Sequence, residues 1–126
     1  MGRILQAFER RRWLPTVLSA VMIFILSSIP ELGVRASRLE GCDKILHFVE
    51  YFILGWAIRY WSRDGRLQYL AGGIGFAALD ELHQSLVPNR IMSFWDFVAD
   101  VAGVTAGFMI AGYVSRRGAE KKAGNG

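Results

Sequence analysis

The sequence predicts an all-α protein, an up-down bundle of four transmembrane helices with both termini in the cytoplasm. Three observations carry this expectation. Hydrophobic residues make up 52% of the 126-residue chain, and the mean hydropathy is positive at +0.26, unusual for a soluble domain of this length. The apolar residues gather into four blocks, each of about 17 to 22 residues and so able to cross a hydrocarbon core as a helix. The basic residues flank these blocks more than they interrupt them, as in the loops of membrane proteins.

The first block runs from Trp13 to Ile29, behind Arg10, Arg11 and Arg12. Pro15 falls in its first turn, where the backbone N–H that proline lacks would have no helical partner. A basic start and an apolar centre also describe a secretory signal. However, Ser28-Ile29-Pro30-Glu31 is a poor small-x-small cleavage site, and three further apolar blocks follow. The second block, about Ile45 to Trp61, contains His47, Glu50 and Arg59. The third, about Leu67 to Val87, contains Asp80, Glu81, His83 and Gln84. The fourth, about Ser93 to Val114, contains Asp96 and Asp100. The turns Ser62 to Arg66 and Pro88 to Met92 are short, which forces neighbouring helices to run antiparallel. The chain therefore divides into a basic cytoplasmic N-terminus (1–12), a four-helix domain (13–114) and a basic C-terminal tail (115–126) expected to be disordered.

The basic residues set the orientation. One side collects Arg3, Arg10 to Arg12, Arg63, Arg66, Arg116, Arg117, Lys121 and Lys122, with Arg59 close by; the other has Arg35, Arg38, Lys44 and Arg90. The richer side is the cytoplasmic one. The Glu31 to Lys44 loop and the Pro88 to Met92 turn then face outward. The net charge of +4 reflects these flanks, so the partner it implies is the lipid bilayer and not nucleic acid. Cys42 is the single cysteine, which excludes an internal disulfide and a multi-cysteine metal site. Leu39-Glu40-Gly41-Cys42 is a weak lipoprotein box, separated from the first apolar block by a polar stretch. Trp13, Trp61 and Trp95 fall near block ends, where tryptophans anchor helices at the interface. The sequence sets no oligomeric state.

This topology brings the ionisable residues to one depth. Asp43, Lys44, His47 and Glu50 begin the second helix, Asp80, Glu81, His83 and Gln84 end the third, and Ser93, Asp96 and Asp100 begin the fourth. Arg90 lies on the turn between. Asp43, His47 and Glu50 are spaced i, i+4, i+7 and share a stripe that Tyr51 extends. Ser93, Asp96, Asp100, Gly103 and Gly107 share another, and Gly103-x-x-x-Gly107 is a spacing that lets membrane helices approach closely. Six of the eleven acidic residues belong to this cluster. Charges in a membrane helix are costly unless paired or wet. Protonation, a divalent metal, or a cationic or polyhydroxylated ligand would each satisfy the excess carboxylates. A salt-bridge network fixing helix register, centred on Arg90, is the purely structural explanation; ten ionisable groups exceed what register needs.

The ordered pattern Asp43-Lys44-x-x-His47-Phe48-x-x-Tyr51, Asp80-Glu81-x-His83-Gln84, Pro88-Asn89-Arg90-x-x-Ser93-x-x-Asp96 and Gly103 resembles the VanZ-like family. The resemblance spans roughly residues 40 to 110. It implies a multi-pass bacterial membrane protein of the cell envelope, in a family whose namesake is linked to resistance to the antibiotic teicoplanin. Family members more often have Gly where this chain has Asn89, and Asn where it has Asp100. Asn89 can take the left-handed conformation that glycine favours.

Two functions fit. In the first, an outward-facing site of Asp43, Lys44, His47, Glu50, Tyr51, Asp80, Glu81, His83, Gln84, Arg90, Ser93, Asp96 and Asp100 binds an envelope lipid headgroup or lipid-linked sugar. Lys44 and Arg90 would then meet phosphate. In the second, the protein is a metal-assisted hydrolase or transferase on an envelope lipid. His47, Glu50, Asp80, Glu81 and His83 would hold a divalent metal, with Glu81, Asp80 or His47 as the catalytic group. A through-membrane pathway is less favoured, because the cytoplasmic half is apolar apart from Arg59.

Overall fold

The computed structural model describes residues 11–30 and 41–124. Expectations for the basic stretch before Arg11, for the loop from Glu31 to Glu40 and for the last two residues lie outside the described residues. Among the described residues there are four helices and no strand: α1 (Leu14–Ser27), α2 (Cys42–Ser62), α3 (Leu67–Gln84) and α4 (Phe94–Gly124).

Local chemistry sets where these helices start and stop. Pro15 sits in the first turn of α1, where its missing N–H costs nothing. Helix α1 ends at Ser27, two residues short of the expected Ile29. Ile29 precedes Pro30, and a residue before proline is pushed out of helical geometry. Gly41 enters α2 with a left-handed φ of 88°. Arg63 and Gly65 carry positive φ in the turn to α3, and Asn89, with φ 62°, does so in the turn to α4. Ser93 caps α4: its hydroxyl accepts the Asp96 N–H at 3.4 Å.

The expected irregular tail is corrected. Helix α4 continues past Val114 to Gly124. Residues 115–124 are rich in helix formers, with Arg116 and Glu120 spaced i, i+4 and Lys121 and Lys122 at the negative end of the helix dipole.

Successive helices alternate in direction. His47 meets Asp100 at one end of the α2–α4 pair, and Arg59 lies over the Phe108 ring nearer the other, so these two helices run parallel. Helix α1 runs against α2, with Arg12 over the Tyr60 ring and Ser27 near the opposite end, against Asp80 of α3. The most extensive interface joins α2 and α4. A Cβ on Gly103 would run into the Phe48 carbonyl, one on Gly107 into that of Phe52, and one on Gly55 into that of Val104. Backbones that close need glycine at the crossing. Gly73 of α3 packs on Val104 and Ile58, whereas Gly72 and Gly75 face open space.

The core cluster is Ile23, Tyr51, Leu54, Ile58, Ala77, Val104 and Phe108. Around it the usual polarity is reversed. His47, Asp80, Glu81, Gln84, Asp96 and Asp100 are buried, while Leu18, Ile45, Leu79, Leu82 and Met109 are exposed. Among the described residues, only α4 is long and apolar enough to cross a membrane by length and composition; α1 is apolar but has 14 residues. Helices α2 and α3, at 21 and 18 residues, have the length, and their polar residues dilute their apolar content.

Candidate functional site

The polar side chains expected to converge do so at the end of the bundle where α2 and α4 begin and α1 and α3 finish. The centre is a pair from the two tightly packed helices. His47 Nδ1 lies 2.9 Å from Asp100 Oδ1, and Asp100 is wholly buried. Close packing at Gly103 seats these residues, because it brings the first turns of α2 and α4 into register one turn away.

Helix α3 supplies the other side. Asp80 Oδ2 accepts hydrogen bonds from the Ser27 hydroxyl at 2.7 Å and the Gln84 amide at 3.1 Å. The same Gln84 nitrogen donates to Ser27 Oγ at 3.2 Å. Glu81 Oε2 accepts the backbone N–H of Ser93 at 3.1 Å. In a capping box an acidic residue of the helix's own third position would bond that N–H; here a carboxylate from α3 does so and ties the two helices together.

Several buried polar atoms have no hydrogen-bond partner: the Tyr51 hydroxyl, Asp80 Oδ1, Glu81 Oε1 and Asp100 Oδ2. Unpaired buried groups of this kind are rare in folded proteins. They belong to one neighbourhood, since Tyr51 lies in the electrostatic field of Asp80, Asp100 and Glu81. Half-buried Glu50 lies in that of His47, Asp100, Asp80 and Arg90.

A rim surrounds this centre. Lys44 Nζ bonds Asp43 at 3.0 Å and Asp96 at 3.2 Å. Burial pushes the Asp43 carboxyl up, but hydrogen bonding and attraction from Lys44 outweigh it and hold the group below its ordinary range. The hydrogen bonds it donates to Asp43, then to Asp96, push the Lys44 ammonium up. Arg90 does not pair with Asp80 or Asp96 as a register lock would require. Its Nη2 donates to the Leu26 carbonyl at 2.8 Å, closing the C-terminal end of α1, where carbonyls lack helical partners. His83 turns aside, stacking on Phe24 at 4.4 Å and lying 3.0 Å from Ser28 Oγ.

Helix α1 contributes to the site as well, through Ser27, Ser28 and the Leu26 carbonyl. The signal was present: two hydroxyls close an apolar block at the depth the topology gives Asp80. For metal binding, His47, Glu81 and Asp100 each offer one ligand atom within 4.8 Å of the others. Of the candidate ligands read from the sequence, His47 and Glu81 fall in this group. Glu50, Asp80 and His83 do not, and Asp100 takes their place.

Apolar exterior, polar interior and, among the described residues, one helix both long and apolar enough to span point to a class, a helical membrane protein with an internal polar site. The family model VanZ/LLP1 matches residues 4–115, and the chain belongs to that family. Searches of curated proteins and of solved structures each find no match.

Proposed function

We propose that the protein is a four-span membrane protein of the bacterial cell envelope, with both termini cytoplasmic, whose acid–histidine site lies on the extracytoplasmic side. There it binds a polar group of an envelope component, a lipid headgroup or lipid-linked sugar, and through it influences susceptibility to glycopeptides such as teicoplanin. The carrying observation is the set of unpartnered oxygens on Tyr51, Asp80, Glu81 and Asp100 inside an otherwise apolar-faced bundle. Such groups cost about 1–3 kcal/mol each when left unmade, and a ligand that donates to them removes that cost.

The ligand's chemistry follows from what is already engaged. Lys44 is held by two carboxylates, which disfavours phosphate capture by its ammonium. Amines and sugar hydroxyls suit the free carboxylate oxygens and the phenol. Native mass spectrometry of protein released from its own membranes tests this. Wild-type protein is expected to carry an envelope lipid or lipid-linked sugar, and the Asp80→Asn/Glu81→Gln double variant to lose it. Equal retention by both would refute the site. In a deletion strain, the wild-type gene and not the double variant is expected to restore the glycopeptide response at matched expression.

A further inference from the structure

We propose that His47, Glu81 and Asp100 together bind one first-row divalent transition-metal ion. Each residue comes from a different helix, α2, α3 and α4, and each offers a ligand atom within 4.8 Å of the other two. Proximity of acids would not suffice alone. Here Glu81 and Asp100 are 3% and 0% exposed, and Glu81 Oε1 and Asp100 Oδ2 nevertheless have no hydrogen-bond partner. The Tyr51 hydroxyl, equally buried, is unpartnered beside them.

Charge balance points the same way. Two carboxylates carry two negative charges, which an ion of charge +2 cancels in a low-dielectric interior where uncompensated charge is very costly. Lys44 does not replace it, since its ammonium is bound to Asp43 and Asp96, and Arg90 donates to the Leu26 carbonyl and forms no ion pair with Glu81 or Asp100.

Donor chemistry narrows the ion. One imidazole nitrogen with two carboxylates suits zinc, manganese, cobalt or iron better than the all-oxygen preference of magnesium and calcium. The supporting bonds are those a metal ligand needs. The Ser93 N–H fixes one Glu81 oxygen and leaves the other free, an outer contact that orients a ligand. Three protein ligands leave at least one coordination position open. That position takes an oxygen of the envelope component, a step that rests on the binding function proposed above.

Cobalt(II) is the probe. The full chain in detergent, stripped with EDTA and titrated with Co²⁺, is expected to bind about one ion per chain with visible d–d absorption, displaceable by Zn²⁺. Glu81→Gln and Asp100→Asn should each weaken binding by at least about tenfold, whereas Asp64→Asn, in the exposed turn at the other end, should leave it unchanged. His47→Cys should add a thiolate-to-cobalt charge-transfer band, a signature that a merely structural role would not produce. Wild-type protein that binds no cobalt overturns the proposal. So does cobalt binding that folded Glu81→Gln and Asp100→Asn retain in full. Should those two variants fail to fold, wild-type stoichiometry together with the presence or absence of the His47→Cys band decides. The two proposals fail separately. Envelope lipid retained after EDTA, with no cobalt bound, removes the metal alone; stoichiometric cobalt with no lipid retained removes the ligand alone.

Discussion

Ser27 decides how Asp80 is held. It donates one of the two hydrogen bonds that Asp80 accepts and receives one from Gln84. Removing the hydroxyl leaves Asp80 one donor short in a buried setting, so Ser27→Ala is expected to destabilise the protein by about 1–3 kcal/mol, measured as a lower unfolding temperature in detergent. Lys44→Met should behave differently. Its side chain is 43% exposed, and ion pairs of that kind contribute within about 1 kcal/mol. A Lys44→Met effect as large as that of Ser27→Ala would mean the rim is more enclosed than its exposure suggests. Helical phase and depth made His47, Asp100 and Asp80 legible in the sequence, because stripes that face one another at one depth meet; depth alone marked Glu81. Neither could give Ser93 its capping role or Arg90 its carbonyl partner. Both depend on how a turn closes, and a turn has no periodicity to read.

The glycines of α4 are the clearest case of an element legible in advance. Gly103-x-x-x-Gly107 announced a close crossing, and the partner is the backbone of α2 at Phe48 and Phe52. Gly107→Ala would push α2 and α4 apart, at a cost of about 1–3 kcal/mol for overpacking. The same displacement should disturb the His47–Asp100 pair, so cobalt affinity is expected to fall although Gly107 touches neither residue. Unchanged affinity would mean the two ends of the interface move independently. Element ends were harder to read. Residues 115–124 looked like tail because they are charged and end in glycines, yet local propensity extends α4 through them. At 1.5 Å per residue, the 31-residue helix α4 is about 46 Å long against a hydrocarbon core of about 30 Å. Its basic last turns therefore project beyond an apolar slab of that thickness.

At the scale of the whole molecule, alternating helix directions and the apolar exterior follow from short turns and apolar blocks, both visible in the sequence. Sidedness rests on the basic-residue count and is open to a direct test. Cys42 is the only cysteine, is exposed, and begins α2 at the same end as the acid–histidine cluster. In intact cells, a membrane-impermeant maleimide is expected to label it without permeabilisation. Labelling only after the membrane is opened would turn the site toward the cytoplasm.

The parallel pairing of α2 with α4 also bears on how the protein is made. Asp100 is synthesised 53 residues after His47. On the four-span arrangement proposed above, α2 would enter the bilayer in that interval with its histidine unmatched, and α3 with Glu81 lacking the Ser93 N–H. The helix that is both long and apolar enough to span thus arrives last and completes the polar contacts of those before it. A nascent chain ended at Met92 should therefore be cleared quickly by membrane quality control, whereas one ended at Ser115 should persist. Pulse–chase half-lives of the two truncations would reveal whether assembly waits for its final span.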